Sequence, residues 1–191
     1  MIPFLRQSVA GLRLLLVLTV VLGLAYPLAV YGVGRLVPDK ADGSMLTVDG
    51  QVVGSRLLGQ SFGDDEWFLP RPSEAGDGYD PLASGAPNLG PENPDLLATV
   101  TERKQAVADR EDVDPSEVPA DAVTASGSGL DPDISPEYAR LQVDRVARVR
   151  GLEPTVVRQL VDDHVQGRDL GFLGEPHVNV LELNAALAVL D

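Results

Sequence analysis

The sequence predicts an α+β protein in which a single N-terminal transmembrane helix precedes one soluble domain with a small sheet and several packed helices. Three observations carry that expectation. Residues 14–34 run 21 positions without a charge, between Arg13 and Arg35. Asp49-Gly50 separates two short β-rich runs. After residue 92 come three apolar stripes at helical spacing, each opened by a proline, and then a fourth apolar stretch near the C-terminal end.

The chain divides accordingly into a short cytoplasmic N-terminus (1–13), the span (14–34), a linker (35–44) and the soluble domain (45–191). A helix needs about 20 apolar residues to cross the hydrocarbon core of a bilayer. The run is longer than the apolar part of a signal peptide, no A-x-A site follows it, and Gly32-Val33-Gly34 is a poor small-x-small match, so the expectation is an uncleaved anchor rather than a cleaved signal. Arg6 and Arg13 precede the span, Arg35 and Lys40 follow it, and the amino-terminal pair tips the positive-inside balance toward an inside N-terminus and an outside domain. Thr19 with Gly23, and Ala25 with Ala29, stand four apart. That spacing lets a second helix approach closely, or belongs to a plain anchor that tolerates small residues. Pro27 should kink the helix unless neighbours satisfy the carbonyl it frees.

Charge is partitioned as sharply as hydropathy. The first 35 residues carry three arginines and no acid, which leaves −17 on residues 36–191. Such a domain repels nucleic acid and anionic headgroups, and its diffuse field attracts cations. There is no cysteine, which removes thiolate catalysis, disulfides and cysteine zinc sites together.

Within the domain, Met45-Leu46-Thr47-Val48, Asp49-Gly50 and Gln51-Val52-Val53 read as a hairpin with a type I′ turn. Gly54 to Phe62 continues extended, and Trp67-Phe68-Leu69 reads as a further short strand. From Pro70 to Pro94 the crowding of Pro, Gly, Asn, Ser and Asp argues against regular structure. Asn93 then caps a helix with Pro94 at its first position and Leu96, Leu97, Val100 and Val107 as its stripe. Residues 109–118 are a polar acidic connection. Ser135 caps a second helix ending before Gly151, with Tyr138, Leu141, Val146 and Val149 expected inside. A third runs from Pro154 to about Val165 on Val156, Val157, Leu160 and Val161. The stretch from Val178 to Leu190 reads as a helix capped by Asn179.

Catalytic signatures are absent from the sequence. No Walker-type phosphate loop and no G-x-S-x-G elbow occurs. Asp39-Lys40-Ala41-Asp42-Gly43 lacks the threonine of a phosphorylated Asp-Lys-Thr-Gly core and stands in the linker. His164 and His177 fall outside metal-ligand spacing, and His164 is placed to meet a helix dipole. Lys104, the base that a serine–lysine hydrolase would require, lies in the solvated run Glu102-Arg103-Lys104.

Two loops are unusually specific. One runs from Ser84 to Pro94 through Asn88 and Gly90; the other runs from Val123 to Pro136 through Thr124, Ser126, Gly127, Ser128, Gly129 and Asp131. Each combines hydroxyls, glycines and prolines and leads into a helix N-terminus. Free amides and hydroxyls there can hold an anion; Asp131 and Asp133 with nearby hydroxyls can hold a hard cation; or the loops simply cap helices and seal the core. Gln142, inside the second helix's apolar stripe, and Arg145, at its edge, read as fasteners of loop backbone.

Taken in order, several segments resemble the C subunit of the Kdp potassium-transporting ATPase, the KdpC family. They are Gly54 to Phe62 with Gly59 and Gln60, the Arg71-Pro72-Ser73 turn, Ser84 to Pro94, Thr124 to Pro136, Gln142 with Arg145-Val146-Ala147, and Val178 to Asn184 with Asn179 and Asn184. With the anchor they cover nearly the whole chain, and Thr-Ala-Ser-Gly-Ser-Gly-Leu-Asp-Pro (124–132) is the most specific piece. Departures are small: Asp133 stands where relatives often carry His, Ala86-Pro87 replaces Gly-Ser, and Glu74 follows the Arg-Pro-Ser turn where Ala is common. The resemblance implies a non-catalytic accessory subunit of an ATP-driven high-affinity potassium uptake complex, in the plasma membrane of a bacterium. It would act beside a channel-like A subunit, a P-type ATPase B subunit and a small F subunit. The family is described as a catalytic chaperone that raises the B subunit's affinity for ATP. No cofactor of its own is implied; ATP belongs to the partner, with at most a weak direct contact. The competing expectation is a membrane-anchored extracytoplasmic hydrolase or ligand-binding domain.

Overall fold

A computed structural model describes residues 2–190, with Ile2 by its backbone alone. It divides after Ser44 into two compact units.

The first unit is helical. Helix α1 (Ile2–Val20) passes through a five-residue π-helical segment, Val21–Ala25, into α2 (Tyr26–Gly34), and a single turn, α3 (Pro38–Ala41), follows. Residues Pro3–Gly34 form one helix long enough to cross a membrane, and its most apolar 18-residue stretch has mean hydropathy 2.3. The helix therefore continues back past Arg13 and Arg6 as far as Ile2. Pro27 has no N–H and its ring crowds the carbonyl of residue 23, four back. The widened turn just before it answers that demand: the Tyr26 N–H donates to the carbonyl of Val21, five residues back. Thr19 folds its hydroxyl onto the Leu15 carbonyl at 2.8 Å, and a side chain built on Gly23 would meet only the Thr19 methyl, at 3.9 Å.

In the second unit, β1 (Met45–Val48) and β2 (Gln51–Ser55) form an antiparallel hairpin with an extra residue, Val53, in β2. Asp49 and Gly50 both take positive φ, 50° and 78°, the requirement of a type I′ turn. The chain is then irregular up to α4 (Pro94–Glu111), which Asn93 caps through the Asp95 amide. Two 3₁₀ turns, Pro115–Glu117 and Ala120–Ala122, lead to β3 (Asp133–Ile134). Helices α5 (Pro136–Leu141), α6 (Val143–Arg150) and α7 (Pro154–Asp163) follow, then β4 (Val178–Asn179) and α8 (Val180–Leu187). Strands β3 and β4 pair antiparallel, Asp133 with Asn179 and Ile134 with Val178. The α+β expectation holds.

The core gathers Phe68, Tyr138, Val143, Val146, Ala147, Val157, Val161, Leu183 and Leu187. Four details depart from the sequence reading. The chain does not continue extended from Gly54 to Phe62: it turns at residues 56–58, where the Leu58 N–H donates to the Ser55 carbonyl at 3.2 Å. The second helix is divided at Gln142, and Val143 and Ala147 are buried with Val146 while Val149 faces solvent. Leu97 is exposed on α4 and Val156 on α7. Residues 67–69 form no strand, although Phe68 and Leu69 are buried; what pairs with their backbone instead is described next.

Candidate functional site

Two polar clusters organise the second unit. The first is a clamp on residues 65–69. The Gln142 side-chain amide accepts from the Leu69 N–H (2.6 Å) and donates to the Leu69 carbonyl (3.1 Å). The Asn184 amide treats Phe68 the same way, at 2.9 Å in both directions. Arg145 donates to the carbonyls of Asp65 and of Trp67, the latter at 3.0 Å, and Arg150 to that of Glu66 at 3.1 Å. Side chains on α6, α8 and the α5–α6 break thus do for this segment what a neighbouring strand would do. A buried backbone needs such partners. Arg145 also donates through Nη2 to Gln142 at 2.8 Å and through Nε to both carboxylate oxygens of Glu111 at 2.9 and 3.0 Å. The Arg145 and Glu111 side chains are 2% and 1% exposed. Burial pushes the Glu111 carboxyl above its ordinary value, and the Arg145 guanidinium opposes that rise. Glu111 stands in the polar acidic run 109–118 yet is interior, and nothing in the local sequence signals it.

The second cluster is the 124–131 loop, tied from three sides. The Ser126 hydroxyl accepts from the Gly129 amide (2.9 Å) and the Ser128 hydroxyl from the Leu130 amide (3.1 Å). The Ser128 carbonyl takes the Ser84 hydroxyl and the Gly85 amide, both at 2.9 Å. The Gly129 carbonyl takes the Ser73 hydroxyl at 2.6 Å, and the Leu130 carbonyl the Gly59 amide at 2.8 Å. Arg71 pairs with Asp131 at 2.8 Å and reaches the Thr124 carbonyl at 3.4 Å. Tyr79 donates its hydroxyl to the Arg71 carbonyl, and burial raises its pKa. Gly129 takes φ 69°, and a Cβ there would lie 2.7 Å from both the Ala75 nitrogen and the Gly85 oxygen. Only glycine fits that approach.

Most of the singled-out loop residues therefore meet. Gly59, Arg71, Ser73, Thr124, Ser126, Ser128, Gly129 and Asp131 belong to the stapled loops, and Gln142, Arg145 and Asn184 to the clamp. Pro72, between Arg71 and Ser73, and Gln60, beside Gly59, are half-buried. Asn179 caps α8 through the Glu182 amide at 3.2 Å and donates to Asp133 at 2.9 Å and to the Arg56 carbonyl at 3.0 Å. Asn88, Gly90 and Gly127 stay exposed, and the Asn88 side chain donates to the Ala86 carbonyl of its own loop. Burial raises the Asp133 carboxyl, which the Asn179 amide opposes. His164 ends α7 with Nδ1 at 2.7 Å from the Leu160 carbonyl. Among the described residues no group of three His, Cys, Asp or Glu side chains could hold a metal ion.

One apolar helix long enough to cross a membrane among the described residues, together with an acidic α+β domain whose glycine-rich loops are tied to one another, defines a class of single-anchor membrane proteins. Comparison with known sequences narrows it. The sequence matches the KdpC family model, described as the K+-transporting ATPase, c chain, over residues 8–189. It is 64% identical over 183 residues to the potassium-transporting ATPase KdpC subunit of Kineococcus radiotolerans, covering 96% of this chain and 93% of that protein. Its identity to the KdpC subunit of Mycobacterium bovis is 53%, over 95% of this chain and 97% of that one. For the Streptomyces coelicolor KdpC subunit it is 50%, over 97% and 93%. The chain belongs to the KdpC family.

Proposed function

We propose that the chain is a non-catalytic accessory subunit of a potassium-transporting ATPase, anchored by its one span and required for assembly of the complex. Membership in the family supports the place in a potassium transport complex. The observation that carries the non-catalytic reading is the closure of the two loops. Ser73 and Ser84 donate their hydroxyl protons to the Gly129 and Ser128 carbonyls, the Gly129 and Leu130 amides are taken up by the Ser126 and Ser128 hydroxyl oxygens, and Arg71 is held by Asp131. An anion seated there would have to displace those bonds, and neither glycine-rich stretch brings a free cation of its own.

In this reading the partners are a channel-like A subunit, a P-type B subunit that hydrolyses ATP, and a small F subunit. The acidic domain lies outside the bacterial plasma membrane, on the arginine balance around the span. A domain on that side is separated from cytoplasmic ATP, so any increase in the B subunit's ATP affinity comes through assembly rather than through direct nucleotide contact. The test has two arms. With the P-type subunit tagged, this chain should co-purify in mild detergent. Alone, it should release no phosphate and bind ATP no more tightly than about 1 mM by calorimetry. Micromolar binding that disappears in a Ser126→Ala/Ser128→Ala variant would defeat the reading.

A further inference from the structure

Three segments of the second unit meet around one histidine. Strands β3 and β4 set Asp133 against Asn179, and His177, just before β4, pairs through its backbone with Gln166 at 2.8 and 3.0 Å. His177 Nε2 stands 3.8 Å from Asp133 Oδ2, and His177 Nδ1 stands 3.1 Å from the Glu175 carbonyl oxygen. A carbonyl oxygen only accepts, so Nδ1 carries a hydrogen in this arrangement. A neutral ring then has a bare lone pair at Nε2. That lone pair faces a carboxylate, which also only accepts. The contact is attractive when one further proton sits on the pair and repulsive without it.

The surrounding charges point the same way. Asp131 is held by Arg71 at 2.8 Å and Glu182 by Arg56 at 2.5 Å. The Glu175 carboxylate is turned to Arg168, and Asn179 satisfies the other Asp133 oxygen, Oδ1, at 2.9 Å. Each neighbouring carboxylate thus has its own arginine. Among the described residues, the cation set against Asp133 is His177 when protonated. Burial raises the Asp133 carboxyl and the Asp131 and Glu182 charges add to the rise, while the Asn179 amide and His177 oppose it. We propose that Asp133 and His177 form a proton-operated latch that closes the 165–177 segment onto the start of β3. The folded pair keeps a proton that the unfolded chain releases more readily. The stability it adds is therefore full in acid and is lost as pH rises through about 5–8, the range in which imidazole ordinarily changes charge. In the outward orientation proposed above, the latch meets the pH of the surroundings.

Urea titrations of the full chain in detergent, followed by Trp67 fluorescence at about pH 5.5 and about pH 8, test the latch. The His177 and Asp133 side chains are 37% and 32% exposed, so the effect is small. Between those pH values the wild-type midpoint should fall about 0.3 M further than that of His177→Gln. Asp133→Asn should remove the same increment, and the double variant no more than either alone, because the proton belongs to the pair. His164, the other histidine, is present in all four chains, so its own titration cancels. In the wild type, the Gln166 and His177 amides should lose about threefold more protection from hydrogen exchange over the same interval than the Val161 amide in α7. A His177→Gln chain with wild-type pH dependence, increments that add in the double variant, or equal changes in protection at the three amides would overturn the proposal.

Discussion

Replacing Gln142 by leucine tests whether side chains really substitute for a strand at residues 65–69. Gln142 is fully buried, and leucine has similar bulk, so little cavity is opened. What disappears is the bond pair to Leu69 and the acceptor for Arg145. The Leu69 N–H and carbonyl then lose their side-chain partner in a dry interior. Each unsatisfied group costs about 1–3 kcal/mol, offset partly by the better burial of an apolar side chain, for a net loss of about 3 kcal/mol. Against a total of about 5–15 kcal/mol for an ordinary domain, that is a large fraction. With a urea slope of about 2 kcal/mol/M, the midpoint falls by about 1.5 M. Trp67, the single tryptophan, belongs to the clamped segment and reports the transition in the full-length protein in detergent. Leu97→Gln, on the exposed face of α4, serves as the silent control. A Gln142→Leu midpoint within about 0.3 M of wild type would refute the argument, because the clamp would then contribute nothing that packing does not.

Three further outcomes follow from the same structure. Glu111→Ala leaves Arg145 as a buried unpaired cation and should destabilise by about 3–5 kcal/mol, read by the same fluorescence titration. A Ser116→Cys variant, exposed after α4 in a chain with no other thiol, should react with a membrane-impermeant reagent in intact cells; labelling only after lysis would reverse the orientation. Gly23→Ile should reduce co-purification with the large membrane subunits, because close helix packing in lipid depends on small residues, whereas Val21→Leu should not; equal recovery of the two would make the helix a tether only.

Local chemistry explains which parts of the fold were legible. Asp49-Gly50 specified its turn because both residues tolerate positive φ, and Asn93, Ser135 and Asn179 marked helix starts because their side chains do cap the following amides. The 67–69 segment was misread as a strand because its partners are not local. Gln142 lies 73 residues away and Asn184 116, and no periodicity encodes an amide side chain that imitates a strand. The helix after Ser135 buries Ala139, Val143, Val146 and Ala147, spaced i, i+4, i+7 and i+8, and exposes Val149; two of those four are alanines, which mark an apolar face only weakly. Glu111 was hidden inside an acidic run, where charge reads as solvation until a buried arginine 34 residues on is known.

The most direct measurement of the central claim is potassium-stimulated ATP hydrolysis by the complex with and without this chain. Wild-type complex is purified through the tagged P-type subunit, and the same preparation is made from cells lacking the chain. The account predicts that the preparation without it loses its potassium-stimulated activity and its stable association with the channel-like subunit, and that supplying the chain in the same cells restores both. A complex that assembles and hydrolyses ATP at the wild-type rate without this chain would contradict the account.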